Sequence, residues 1–160
     1  MNRSYGSPNA PRIECTNPRR NLWRIRWDFI TDNEAGVISY MEHQFSHKPS
    51  LPEVSEVIHQ WVNKQVDEKI LSGLRYDGAL VWLSLENQFN YKAAYDLAVQ
   101  TEGESLPVTL KFGTDDNPIY RTFDAFQDYA DFYHAVINHI NEQIAWGWQQ
   151  KNIDLSPYDC

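Results

Sequence analysis

Histidines, aspartates and two cysteines are the residues of this chain whose types could do chemistry, and their spacing limits what they can do together. His43 and His47 are four apart. On a helix that spacing would offer both rings to one metal. Here the segment alternates like a strand end and runs into His47-Lys48-Pro49, where four residues cover about 13 Å. His134 and His139 are five apart on a helical stretch, so their rings point about 140° apart and suit packing or the surface better than a shared metal. His59 falls on the polar side of its helix and is expected to be solvated. Asp115-Asp116 sits in a turn, without the alternating ligands and distal Glu of a calcium loop. Asp128 and Asp131 lie one helical turn apart and could share a proton, though a solvated helix face explains them as well. Cys15 and Cys160 stand near opposite ends with no Cys-x-x-Cys spacing, which argues against a disulfide framework or a zinc knuckle. A phosphate loop, a dinucleotide fingerprint and a Gly-x-Ser-x-Gly elbow are all absent from the sequence. The expectation is a protein with no catalytic residue, no metal site and no cofactor. A small enzyme would have to build its site from these scattered Asp and His side chains.

Charge is distributed unevenly. Residues 1–26 hold six Arg (Arg3, Arg12, Arg19, Arg20, Arg24 and Arg26) against one acid, Glu14, a local charge of +5. The remainder carries −13, and the whole chain −8. An acidic body repels nucleic acid phosphates. Trp23 and Trp27 interleaved with Arg24 and Arg26 suggest a single-strand platform, but on a strand the rings and guanidinium groups point to opposite faces. Nucleic acid is therefore an unlikely partner, and a nucleic-acid-binding module using the basic end is an alternative reading. No stretch is long and apolar enough for a membrane span, and the first residues lack the apolar core of a signal peptide. A cytoplasmic site of synthesis is expected.

The elements that must position these residues can be read from periodicity. Residues 1–21, with Pro8, Pro11, Pro18 and many small polar residues, show no apolar period and predict a flexible basic arm. Trp23, Ile25, Trp27 and Phe29 alternate with Arg24, Arg26 and Asp28, which predicts a strand over 22–30 with one charged face. A turn at 31–36 and a return strand over 37–45 complete a hairpin. Ser50 and Glu53 form a capping box for a helix to about Leu71, with Val54, Ile58, Trp61, Val62, Val66 and Ile70 as its buried stripe and Gly73 as its stop. Asp77-Gly78 is a type I′ hairpin signal. Ser84 caps a helix through about Val99, in which Phe89, Ala93 and Leu97 form one row with Tyr91, Tyr95 and Ala98 beside it. A strand over 106–112 and a short return at 119–121 precede a final helix, capped by Thr122 and spanning about 123–148. Its expected stripe is Phe126, Tyr129, Tyr133, Val136, Ile137, Ile140 and Ile144. The fold class is α+β: antiparallel β-hairpins packed with three α-helices, the helices burying their stripes on one side of a sheet. The organisation is an arm (1–21), a single domain (22–151) and a polar tail (152–160).

The order of a Tyr76-Asp77-Gly78 hairpin, a Trp82-Leu83-Ser84-Leu85-Glu86-Asn87-Gln88-Phe89-Asn90-Tyr91 helix start, a Leu106–Phe112 strand and a last helix carrying His139, Ile140 and Trp148 resembles a domain of unknown function that recurs in phage and prophage tail-fibre and tail-fibre-assembly proteins. The resemblance covers roughly residues 52–152. Trp23–Trp27 and Met41–Phe45 look like the hairpin that precedes it in short prophage versions. The resemblance implies a non-enzymatic tail-associated structural or assembly protein. Its partners would be other phage tail or virion proteins, and its place the host cytoplasm during assembly or the virion. A single compact unit suits an accessory or adaptor better than a fibre shaft. The residues expected to carry interaction are Arg12, Arg19 and Arg20 of the arm and Trp146 and Trp148. An arm exchanged between copies would also build a homo-oligomer.

Overall fold

The structure, a computed structural model, describes residues 1–31 and 37–159. The predicted turn at 31–36 falls almost wholly outside the described residues. The element order is β1 (Asn2–Gly6), β2 (Ile13–Asn17), β3 (Leu22–Thr31), β4 (Ile38–Phe45), α1 (Leu51–Gly73), β5 (Leu74–Tyr76), β6 (Ala79–Val81), α2 (Leu85–Gln100), β7 (Val108–Gly113), β8 (Pro118–Phe123) and α3 (Phe126–Lys151). The antiparallel α+β class expected from the sequence is the class observed, but with three separate sheets rather than one. The chain divides into two compact units instead of one, residues 1–63 with 150–160 and residues 64–149, the boundaries falling inside α1 and α3. Among the described residues no helix is long and apolar enough to cross a membrane.

The first unit is built on a four-stranded antiparallel sheet of order β1-β4-β3-β2. The expected arm is therefore corrected: β1 and β2 are the two edge strands of the chain's own sheet, paired with β4 and β3. Edge strands are often short and polar because one rim faces solvent, so they show no apolar period. The prolines that suggested disorder lie outside the ladders: Pro8 and Pro11 in the link between β1 and β2, and Pro18 at the start of a 3-10 turn, Pro18–Arg20. That link also bears on Arg26, which belongs to the face predicted to be charged and is buried. The link covers it: Arg26 donates to the Pro11 carbonyl at 3.0 Å and to Glu14 Oε1 at 2.6 Å, while its backbone N–H reaches the Arg12 carbonyl at 2.8 Å.

The opposite face of β3 buries Ile25 and Trp27. The regular register with β4 ends in a bulge between Trp27 and Ile30, where Asp28 takes φ +51°. Asp tolerates the left-handed region better than most residues, and Arg3 holds its carboxylate in an ion pair. In α1 the box forms as read. The Ser50 N–H and hydroxyl both donate to Glu53, at 2.8 and 2.7 Å. Val54, Ile58 and Val62 are buried, and Trp61 meets Trp27 edge-to-face at 6.1 Å. The tail expected to be polar is also corrected: Tyr158 is buried and donates to the Arg26 carbonyl at 2.8 Å. Nor is His59 solvated. It is half-buried, and its Nε2 lies 3.1 Å from the Lys151 carbonyl, which can only accept, so Nε2 carries the proton.

The second unit packs two hairpins with helical segments. In the β5–β6 hairpin, Asp77 and Gly78 take φ +47° and +79° between the paired Tyr76 and Ala79, the type I′ geometry. In the β7–β8 turn, Gly113 takes φ +81°, and a Cβ there would lie 2.3 Å from the Asn117 carbonyl oxygen. Ser84 caps α2 by accepting from the Asn87 N–H at 3.2 Å. The N-terminus of α3 is corrected from Thr122 to residues 125–126. Thr122 belongs to β8, where its hydroxyl meets that of Thr109 at 2.8 Å, and Phe123 is drawn into the ladder opposite Val108. The stripe of α3 shifts with it. Tyr129, Phe132 and Val136 are fully buried beside Phe112 and Phe123, whereas Phe126 and Ile137 lie exposed at its margin. Gly73 acts through its missing side chain, since a Cβ would come within 2.9 Å of the His139 ring, which donates to the Lys69 carbonyl at 3.0 Å.

Candidate interaction surface

Helix α2 is apolar on two sides, and only one of them can face the core. Tyr91 and Ala98 are buried, with Ala94 and Tyr95 half-buried beside them; Tyr95 stacks on Tyr133 at 4.6 Å. The Tyr129 hydroxyl donates to the Tyr91 carbonyl at 2.9 Å, which fixes this side against α3. The other side presents Leu85, Phe89, Ala93 and Leu97, each four residues from the last. Leu85 is 85% exposed, Phe89 71% and Leu97 51%. The same spacing that makes an amphipathic stripe here makes an apolar row in solvent.

Leu85 is also one lip of a groove. An apolar cavity of about 470 Å³ is lined by Ile70, Leu71, Leu83, Leu85, Ile140 and Ile144. Ser84 starts the helix at the edge of this groove, so row and groove meet at one point. The rim is polar. Glu86 lies beside Leu85, Lys92 pairs with Asp96 along the helix, and Glu102 and Glu104 follow its end. An apolar ridge next to a concave apolar site within a charged rim is the anatomy of a protein-binding patch.

The residues expected to carry interaction do not gather into one site. Arg12, Arg19 and Arg20 belong to the first unit, Trp146 and Trp148 to the second. Arg12 is exposed, with its guanidinium 3.8 Å above the Phe29 ring. Arg19 and Arg20 stand exposed on the turn between β2 and β3. Of the other N-terminal arginines, Arg3 pairs with Asp28, Arg24 with Glu42 at 3.4 Å and Arg26 with Glu14. These pairs remove three charges from any phosphate-binding face. Trp146 is half-buried beneath the Lys69 ammonium at 4.5 Å, while Trp148 is 69% exposed. The candidate histidines are separated as well. His43 packs edge-on against Phe45, and His47 Nε2 meets Glu53 Oε1 at 2.8 Å. Asp115 pairs with Lys111 at 2.7 Å, and Gln127 donates to Asp131.

No family model, no curated protein and no solved structure matches this chain. The row of Phe89, Ala93 and Leu97 was visible in the sequence. Its exposure and its joining to Leu85 and the groove were not, because both depend on which side of α2 the aromatic core claims.

Proposed function

We propose that this protein is a non-enzymatic phage or prophage tail-associated structural or assembly component acting through protein–protein contacts. The observation that carries this reading is the solvent-facing Leu85-Phe89-Leu97 row opening onto the Ile70–Ile144 groove. An apolar face of this kind in a chain of net charge −8 suits a partner rather than free solution. The element order that resembles tail-fibre and tail-fibre-assembly proteins supplies the class of partner: other tail or virion proteins. The place of action would be the host cytoplasm during assembly or the particle itself. Oligomerisation by exchange of the N-terminal arm is no longer part of the reading, since β1 and β2 pair within their own chain.

Co-expression with the tail proteins encoded beside it, followed by co-purification and light scattering, tests this reading. The intact chain should form a defined complex. Phe89→Glu with Leu97→Glu should abolish the complex while leaving the melting temperature close to that of the parent, because both side chains are exposed. A complex unchanged by the double substitution, or none with any neighbouring tail product, would overturn the proposal.

A further inference from the structure

We infer that the groove of the second unit receives an amphipathic helix whose apolar face is flanked by lysine or arginine. This choice of partner rests on the row and groove being a protein-contact surface, not on the partner being a tail protein. Every residue lining the groove lies within 64–149. Leu83, 1% exposed, is the most deeply buried of them, and Ile70, Leu71, Ile140 and Ile144 are half-buried beside it. None belongs to a strand, so an extended peptide finds no sheet edge to pair with. The polar backbone between α1 and α2 is already engaged. The Leu83 N–H donates to the Leu71 carbonyl at 2.9 Å, and the Leu83 and Ser84 carbonyls accept from the Gln88 side chain and backbone N–H at 2.8 and 2.9 Å. An occupant must therefore satisfy its own backbone groups, as a helix does. Leu85, Phe89 and Leu97 continue from the groove along α2 for about 18 Å, the length of about three turns of a helix laid against them. Anchors at three- and four-residue spacings reach such a surface.

Charge selects the flanks of that helix. The second unit has six basic and thirteen acidic side chains. Four of the six bases are taken by its own acids: Lys64 by Glu68, Lys92 by Asp96, Lys111 by Asp115 and Arg121 by Asp77. A fifth, Lys69, lies over the Trp146 ring. Asp67, which lines the groove, and Glu86, next to its lip at Leu85, are both exposed. Among the described residues no cation pairs with either. Carboxylates flanking an apolar surface favour an occupant that brings cations and disfavour one that brings acids. A second copy of this chain would set the same acidic rim against itself. A fatty acyl chain would suit the apolar walls, but its head would add an anion to that rim.

The test uses the full chain and fluorescein-labelled synthetic peptides of about 18 residues, long enough for about five helical turns. One carries leucines at i, i+4, i+7 and i+11 between lysines. A twin has glutamate for every lysine, and a third has alanine for every leucine. Fluorescence anisotropy at about 0.15 M salt should show saturable binding of the leucine–lysine peptide, with both others at least about tenfold weaker. Asp67→Asn with Glu86→Gln should weaken that peptide about three- to tenfold, as for two exposed charge pairs. Leu85→Ala should weaken it as well, and both variants should melt close to the parent because these side chains are exposed. Equal binding of the leucine–lysine and alanine–lysine peptides would reveal plain attraction to an acidic surface and overturn the inference. So would equal binding of the lysine and glutamate twins, indifference to either variant, self-association through Leu85 in light scattering, or a groove that binds dodecanoate but not the leucine–lysine peptide. Failure of this peptide beside an intact tail-protein complex would remove the basic helix and keep the tail reading; peptide binding with no tail-protein complex would do the reverse.

Discussion

Glu53 shows how a local motif sets a titration. The Ser50 N–H, then the Ser50 hydroxyl, then His47 stabilise its charged form, and its pKa falls from 4.5 to about 2. A depressed carboxylate adds stability that is complete above its unfolded pKa and lost as pH falls through the folded value. The capping contribution should therefore fade between about pH 4.5 and pH 2. Carboxyl NMR titration should find Glu53 the low outlier, and Ser50→Ala should move it part of the way back, since the backbone N–H remains. Arg26 is the opposite kind of residue, a charge taken out of water. Its side chain is 7% exposed and its main partner Glu14 33%. Glu14→Gln should cost roughly 2–3 kcal/mol in chemical denaturation, because the guanidinium stays buried with weaker company. A loss under about 0.5 kcal/mol would show that Glu42 suffices. Alternation placed Arg26 on a charged face correctly. It could not show that the link between β1 and β2, together with Glu14, would enclose the guanidinium.

At the scale of elements, turn and cap chemistry is local and was readable. Asp77-Gly78, Ser50 with Glu53, and Ser84 each do what their residue types dictate. A Cβ on Gly78 would meet nothing within 4 Å, so a substitution there tests backbone strain alone. Gly78→Val should cost about 1–3 kcal/mol and Gly78→Asn much less, because Asn tolerates positive φ. Equal melting temperatures for the two variants would contradict the turn assignment. Helix faces were less readable. Ile137 and Phe132 both fit apolar periods on α3, but only Phe132 meets Phe112, Phe123, Tyr76 and Tyr91, at 5.2–5.3 Å. Phe132→Ala should cost about 3–5 kcal/mol, and Ile137→Ala, at an exposed margin, less than about 1 kcal/mol. Urea unfolding of both variants would separate the two stripes. The start of α3 was misplaced for a related reason: Thr122 is a good cap by type, but the pull of Phe123 into the β8 ladder outweighs it.

For the whole molecule the decisive fact is where the first 21 residues go. Deleting them removes both edge strands of the four-stranded sheet, together with the Glu14 and Pro11 partners of Arg26. The truncated chain should melt well below the parent, or fail to fold, as followed by circular dichroism. A truncated chain melting at the parent temperature would restore the arm as a passive tail. Charge is also partitioned at this scale. The first unit holds eight basic and nine acidic residues and the second six and thirteen, so the acidity lies with the unit that carries the α2 row. Sequence alone determined the α+β class, the middle hairpin turn, the caps of α1 and α2 and the existence of an apolar row on α2, because each depends on contacts a few residues apart. Only the tertiary structure decided the rest: that polar strands 2–6 and 13–17 complete a sheet, that Arg26 and Trp27 are both buried on opposite faces of one strand, and that Phe89 faces water while Tyr91 does not. Those outcomes turn on pairings and packing between residues far apart in the chain, where several apolar faces compete for one core and periodicity cannot say which is covered.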